Sequence, residues 1–196
     1  MTTTYIGQEV KRLEDPRLLT GQALFVDDVH LPGMLHAAFL RSDYAHARIR
    51  SLDVSAARKR PGVVAVYTAQ DLGDYWKPGP LLVSPPPIQR LVFNERTQVP
   101  LAKDKVRYVG EPIVLIVAES RYIAEDAIND VMIDFETLPP VVDLEKALLP
   151  ETPLVHEDLP SNLAAHVIQE KGNYEAIKGQ AELILKRRFW YDHGRS

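Results

Sequence analysis

From Ile113 to Glu136 the chain reads IVLIVAESRYIAEDAINDVMIDFE. Ile113 to Ala118 is an unbroken apolar run of strand length, the pattern of a strand covered on both faces. Ser120 stands where a helix needs a side-chain acceptor for its first free N–H groups. Ile123, Ala124, Ala127 and Ile128 recur at helical spacing. Val131 to Glu136 alternates apolar and polar residues, as a half-buried strand does. The segment predicts strand, helix, strand. It closes as a βαβ crossover or, because the helix is short, as an antiparallel return. Leu138-Pro139-Pro140 ends it.

Upstream, Met34 to Arg41 alternates, with Leu35, Ala37 and Phe39 on one face. Arg48 to Leu52 reads as a strand edge with arginines outward. Asp53 caps a short helix through Arg60, whose basic end suits the helix dipole, and Pro61-Gly62 stops it. Val63 to Tyr67 reads as a buried strand, and Thr68 to Asp71 as the start of a helical turn. The chain has 15 prolines against 10 glycines, and Pro78, Pro80, Pro85, Pro86 and Pro87 crowd together. Gly73 to Val99 therefore reads as a long loop or a stiff extended segment. Past Val141, Asp143 to Leu148 predicts a short helix, and Leu149 to Asn162 a linker rich in proline and acid. His166 to Glu170 predicts a strand, Asn173 to Gly179 a helical turn, and Ala181 to Tyr191 a long strand. Phe189, Trp190 and Tyr191 at the end of that strand need something to pack on. The class is α+β.

Composition narrows the function. The 196 residues carry a net charge of −4, and 45% are hydrophobic, as in globular proteins. There is no cysteine. That excludes a disulfide scaffold, a thiolate zinc site, an iron–sulfur cluster held by this chain and a cysteine nucleophile. A pI near 5.9 argues against nucleic-acid binding. No run approaches the ~20 apolar residues of a membrane span. Met1 to Tyr5 lacks the basic and apolar regions of a signal peptide, so a cytoplasmic location is expected.

The residues alone define no active site. His30, His36 and His46 lie near Asp27, Asp28 and Asp43, but at no metal-ligand spacing. Ser42, Asp43 and His46 lack the G-x-S-x-G elbow that would make them a hydrolytic set, and read as a turn. There is no phosphate-loop or dinucleotide fingerprint. Gly110-Glu111-Pro112 sits between two apolar segments. Glu111 is the best single candidate for a buried functional carboxylate, although a solvated loop residue is the ordinary reading of such a position. Trp76 and Trp190 read as core or interface anchors.

Taken in order, several segments resemble the start of a known large subunit. They are Arg12 to Gly21, Phe25 to Asp28, Leu31 to Leu35, Leu40-Arg41-Ser42, Ala45 to Ile49, Pro61-Gly62-Val63 and Thr68 to Asp71. Leu101-Ala102, Val106 to Pro112, Ala124 to Ala127 and Phe135 to Val141 follow. The resemblance is to the molybdenum-binding large subunit of the xanthine dehydrogenase/aldehyde oxidase/aerobic carbon-monoxide dehydrogenase family. It implies an α/β-hammerhead domain over 1–140, with an N-terminal arm of about 1–20. Residues 141–196 would be a linker and the first strands of a molybdenum-cofactor-binding domain, truncated or completed by another chain.

In that family a molybdenum–pterin centre inserts a water-derived oxygen into a carbon–hydrogen bond, and electrons leave through iron–sulfur clusters and usually FAD. The resemblance implies a non-catalytic structural part, or a small split subunit, of such a hydroxylase. Its partners would be a chain with the remaining molybdenum-binding region, an iron–sulfur subunit and a flavin subunit. No catalytic, cofactor-binding or metal residue carries over to this chain. Leu91, Val92, Phe93 and Asn94, with Glu111, are the residues expected to contribute to a substrate funnel. Asp43 departs from the family's frequent proline after Arg-Ser. The reading from another class is a stand-alone α+β interaction module, or an inert fragment, with no redox role.

Overall fold

The structure is a computed structural model that describes residues 6–79, 91–94 and 96–191. It divides into two units, residues 1–77 with 99–140 and residues 78–98 with 141–196.

The first unit holds two three-stranded antiparallel sheets and two packed helices. Its strands are β1 (His36–Arg41), β2 (Ala47–Asp53), β3 (Val63–Tyr67), β5 (Lys105–Val106), β6 (Pro112–Ala118) and β7 (Met132–Thr137). One sheet has the order β1-β6-β3 and the other β5-β2-β7. The chain therefore changes sheet at every step along these six strands. This corrects the expected strand–helix–strand closure. β6 and β7, joined by α3 (Arg121–Ile128), lie in different sheets, and β7 pairs antiparallel with β2 instead. An apolar run and an alternating run look alike in sequence whether or not they share a sheet.

Local chemistry places the ends of the elements. The Ser120 side chain accepts from Ile123 N at 3.3 Å, so the cap of α3 is where the sequence puts it. The helix α2 (Ser55–Lys59) starts one residue later than expected, at the N-cap Val54. Asp53 still serves its start, its Oδ1 accepting from Ser55 N at 2.8 Å. Thr68 to Asp71 forms a turn that leads into the 3-10 turn Gly73–Tyr75. The Asp71 carboxylate accepts from both Thr68 N and Thr68 Oγ1 at 2.7 Å, and the Arg58 guanidinium holds it from the other side at 2.9 Å. Upstream, a short α1 (Asp15–Leu19) breaks up the N-terminal arm.

The core draws on both sheets and both packed helices. Ile113, Val114 and Ile116 of β6 are fully buried with Ala47, Val106, Ala57 and Ala127. Each large aliphatic side chain contributes about 1.5–3 kcal/mol. β6 is central because its neighbours pair on both edges. β3 was expected to be buried, yet it is an edge strand of which only Val66 is fully enclosed. On β1 the face of Leu35, Ala37 and Phe39 is the more open one. The alternate residues His36, Ala38 and Leu40 are the better covered.

The second unit corrects three expectations. Leu91–Phe93 is a strand, β4, pairing antiparallel with β8 (Ala165–Val167), so Gly73 to Val99 is not one loop. Residues 80–90 and 95 of that stretch lie outside the described residues. Asp143 to Leu148 forms turns rather than a helix, with the Asp143 side chain accepting from Glu145 N and Lys146 N. Residues 181–191 form no strand, because no strand of the described residues pairs with them. The expected turn after Asn173 is the helix α4 (Tyr174–Lys178), capped by the Asn173 side chain. Asn162 organises the linker. It accepts from Val155 N and donates to Ala147 O and Pro153 O.

One backbone position tests this packing. Gly62 has φ +82°, and a Cβ there would stand 2.7 Å from Ile123 Cδ1. Gly62 O also accepts from Glu119 N at 2.9 Å. Gly62→Ala is expected to lower the unfolding free energy by about 1–3 kcal/mol, chiefly through the left-handed backbone. Urea titration of the two proteins measures it.

Candidate functional site

The sites where the chain passes between sheets concentrate the buried polar groups. Residues 42–46 carry the chain from β1 to β2, and residues 107–111 carry it back from β5 to β6. These two connectors bond to each other. Ser42 N donates to Glu111 O at 2.9 Å and Gly110 N donates to Ser42 O at 2.7 Å. The Arg41 guanidinium adds a bond to Gly110 O at 2.9 Å. Gly110 has φ +89°, which the turn requires and which few other residues adopt.

Glu111 is 4% exposed, so the carboxylate is buried and the solvated loop residue that its position favoured is corrected. Its Oε2 accepts from Arg107 N at 2.5 Å, across the turn that Glu111 N closes onto Tyr108 O. Burial pushes the carboxyl above its ordinary range. The Arg107 N–H and the charges of Arg107 and Lys105 oppose the rise without cancelling it. Burial, then the Glu111 charge, also raises the Tyr108 hydroxyl.

His46 is 5% exposed, and its Nδ1 lies 2.8 Å from Pro139 O. The Ser42 hydroxyl donates to Tyr44 O and accepts from Tyr44 N. Serine and histidine are thus engaged separately. This is turn chemistry, with no base held on a nucleophile. Sequence spacing gave no warning of the His46–Pro139 bond, which joins residues 93 apart, whereas Glu111 reaches the Arg107 amide only four residues back, across the turn at Gly110. Among the described residues no three His, Asp or Glu side chains group as metal ligands.

The other expected residues fall in the second unit. Leu91, Val92 and Phe93 form β4, and Asn94 continues its pairing, donating from N to Ala164 O and from Nδ2 to Leu163 O. Val92 is 51% exposed and Phe93 37%. Asn94 is therefore a fastener of the β4–β8 ribbon, while Val92 and Phe93 present apolar surface. Elsewhere in the first unit an open cleft of about 680 Å³ lies over β2, α2 and the 68–71 turn. Its lining includes the Arg58–Asp71 ion pair at 2.9 Å.

Three comparisons bear on this arrangement. The family model described as aldehyde oxidase and xanthine dehydrogenase, a/b hammerhead domain, matches residues 20–139. The carbon monoxide dehydrogenase large chain of Afipia carboxidovorans is 39% identical across 95% of this chain and 23% of its own length. The nicotine 6-hydroxylase large subunit of Paenarthrobacter nicotinovorans is 38% identical across 94% of this chain and 22% of its own. Among solved structures, quinoline 2-oxidoreductase from Pseudomonas putida 86 superposes with a TM-score of 0.71 at 38% identity, over 82% of this chain and 20% of that one. The chain thus spans less than a quarter of these relatives.

The buried carboxyl makes a signed prediction. A raised folded-state value means that the folded protein keeps this proton to higher pH than the unfolded chain. Its contribution to stability is lost as pH rises from the ordinary value of 4.5 toward the raised one. Glu111→Gln is expected to lose less stability than the wild type across that window, because Gln can still accept from Arg107 N. Glu111→Ala leaves that N–H without its acceptor and is expected to be destabilised by about 1–3 kcal/mol at all pH values. Denaturant titrations of the three proteins at pH 4.5 and pH 7.5 separate the two effects.

Proposed function

Because the chain belongs to the aldehyde oxidase and xanthine dehydrogenase a/b hammerhead family, we propose that it is a non-catalytic structural part of a molybdenum hydroxylase large subunit. The observation that carries this reading is the continuous match to large chains and large subunits, at 38–39% identity over almost the whole chain. In the assembled enzyme the molybdenum–pterin centre would supply hydroxylation of a carbon centre with oxygen from water.

The residues present do not fit the redox groups themselves. The chain has no cysteine for an iron–sulfur cluster, and its described residues offer no metal-ligand group. These groups would sit on the remaining molybdenum-binding region, an iron–sulfur subunit and a flavin subunit. This chain would supply shape, and a bed for its neighbours. The stretch 181–191, which forms no strand, supports that role. Leu183, Leu185, Phe189, Trp190 and Tyr191 are all more than 70% exposed, an apolar surface suited to another segment's strand or face.

Gentle purification from the native host, with molybdenum and iron measured in the same sample, tests the proposal. The chain should emerge with companion chains and with both metals. Isolation alone and metal-free from cells rich in molybdate would overturn it in favour of a stand-alone module.

The substrate funnel is the finer part of the proposal. The exposed Val92 and Phe93 would face the path to the cofactor, with Leu91 and Asn94 holding their strand and Glu111 holding its own turn. Phe93→Ala in the assembled enzyme is expected to raise KM severalfold or shift substrate preference, with assembly intact. Steady-state kinetics on two substrates of different size measures it, and unchanged KM and preference would count against the funnel.

A further inference from the structure

Two buried polar atoms of the first unit have no hydrogen-bond partner among the described residues. They are Nε2 of His46 and Nε of Arg107. Both belong to the crossing between the sheets. The antiparallel register pairs Ala47 with Val106 and Arg48 with Lys105. His46 and Arg107 are the next residues along the two chains, at the same end of the sheet. Ala47 and Val106 are both in the core, so the side chains of His46 and Arg107 leave from the other face. Carrying the register one step further would set their Cβ atoms about 4.5–5.5 Å apart. One small molecule can reach both.

The chemistry of the two atoms is complementary. Nδ1 of His46 lies 2.8 Å from Pro139 O, and a carbonyl oxygen only accepts. Nδ1 therefore carries a proton, and in that tautomer of a neutral imidazole Nε2 presents a lone pair. Arg107 Nε carries a fixed proton, while Nη1 of the same guanidinium donates to Lys105 O at 3.3 Å. The enclosed pair thus offers one acceptor and one donor.

We propose that a single internal water molecule bridges His46 Nε2 and Arg107 Nε, accepting from the guanidinium and donating to the imidazole. The occupant must donate and accept at once. A carboxylate has no proton for His46, and an ammonium has no lone pair for Arg107. It must also be small, since His46 is 5% exposed and both atoms are shut off from solvent. Water meets all three conditions, and chains of this size hold several buried waters, about one per 27 residues. The bridge adds a side-chain link to the backbone bonds between the 42–46 and 107–111 connectors. Through His46 and Pro139 it also ties them to the end of β7. His46 is thus a positioning residue for the place where the chain leaves the first unit.

The test is a crystal structure at a resolution that orders water, on the purified chain with any companions it carries, together with nitrogen-15 NMR of the His46 ring. The expected result is one water within about 3.2 Å of both atoms, and a ring protonated at Nδ1 with Nε2 acting as a hydrogen-bonded acceptor. Arg107→Lys, which lacks Nε, should lose the water. Its Nε2 signal should move toward that of a bare acceptor while the Nδ1–H signal stays. His46→Phe should lose the water as well. Direct contact between Arg107 Nε and His46 Nε2, a separate water on each atom, or no water at all would overturn the proposal. If His46→Phe fails to fold, the wild type and Arg107→Lys still decide the matter.

Discussion

The structure depends on a requirement that buried peptide groups be paired where the chain passes between its two sheets. Consecutive strands of the first unit never share a sheet, so each connection has to cross. The connections through α2 and α3 bond to each other, Glu119 N donating to Gly62 O. The 42–46 and 107–111 connectors have no helix, and they satisfy each other through Ser42, Gly110 and Glu111. β6 begins at the second of these connectors, and its position between β1 and β3 sets the core. Loosening the Ser42 contact would release the start of the strand that both neighbours pair with.

Glu111 shows the electrostatic consequence. A carboxylate placed here serves as the acceptor for the Arg107 amide, and burial makes its charge costly. Asp71, across the unit, shows the opposite balance. Burial pushes its value up, but two hydrogen bonds from Thr68 and the Arg58 guanidinium outweigh this and hold the carboxyl below its ordinary value. The two acids belong to similar turns. The difference lies in how many donors reach each one.

The second unit follows another economy. Its strands are three residues long, β8 is exposed throughout, and Asn162 supplies much of the order in its linker. Such a unit has little core of its own, consistent with a chain that spans 23% of a relative 39% identical to it. The absence of cysteine fits a part whose proposed role is shape, with electron carriers borne elsewhere.

The α+β class, the long apolar strand at Ile113 to Ala118 and the Ser120 cap were legible in the residues, because each rests on a local pattern or on the order of short motifs. The family was legible for the same reason. The pairing of β7 with β2, the strand at Leu91 to Phe93 and the lack of one at Ala181 to Tyr191 were not, since a strand exists only with a partner distant in sequence. Nor were the engagement of His46 with Pro139, 93 residues away, and the two unmatched atoms beside it. Sequence by itself determined which segments are apolar, capped or broken, because those are properties of neighbours along the chain. Tertiary structure alone decided which sheet each strand enters and which polar groups meet at the crossing, because burial and hydrogen bonding between distant segments are settled only when the chain closes on itself.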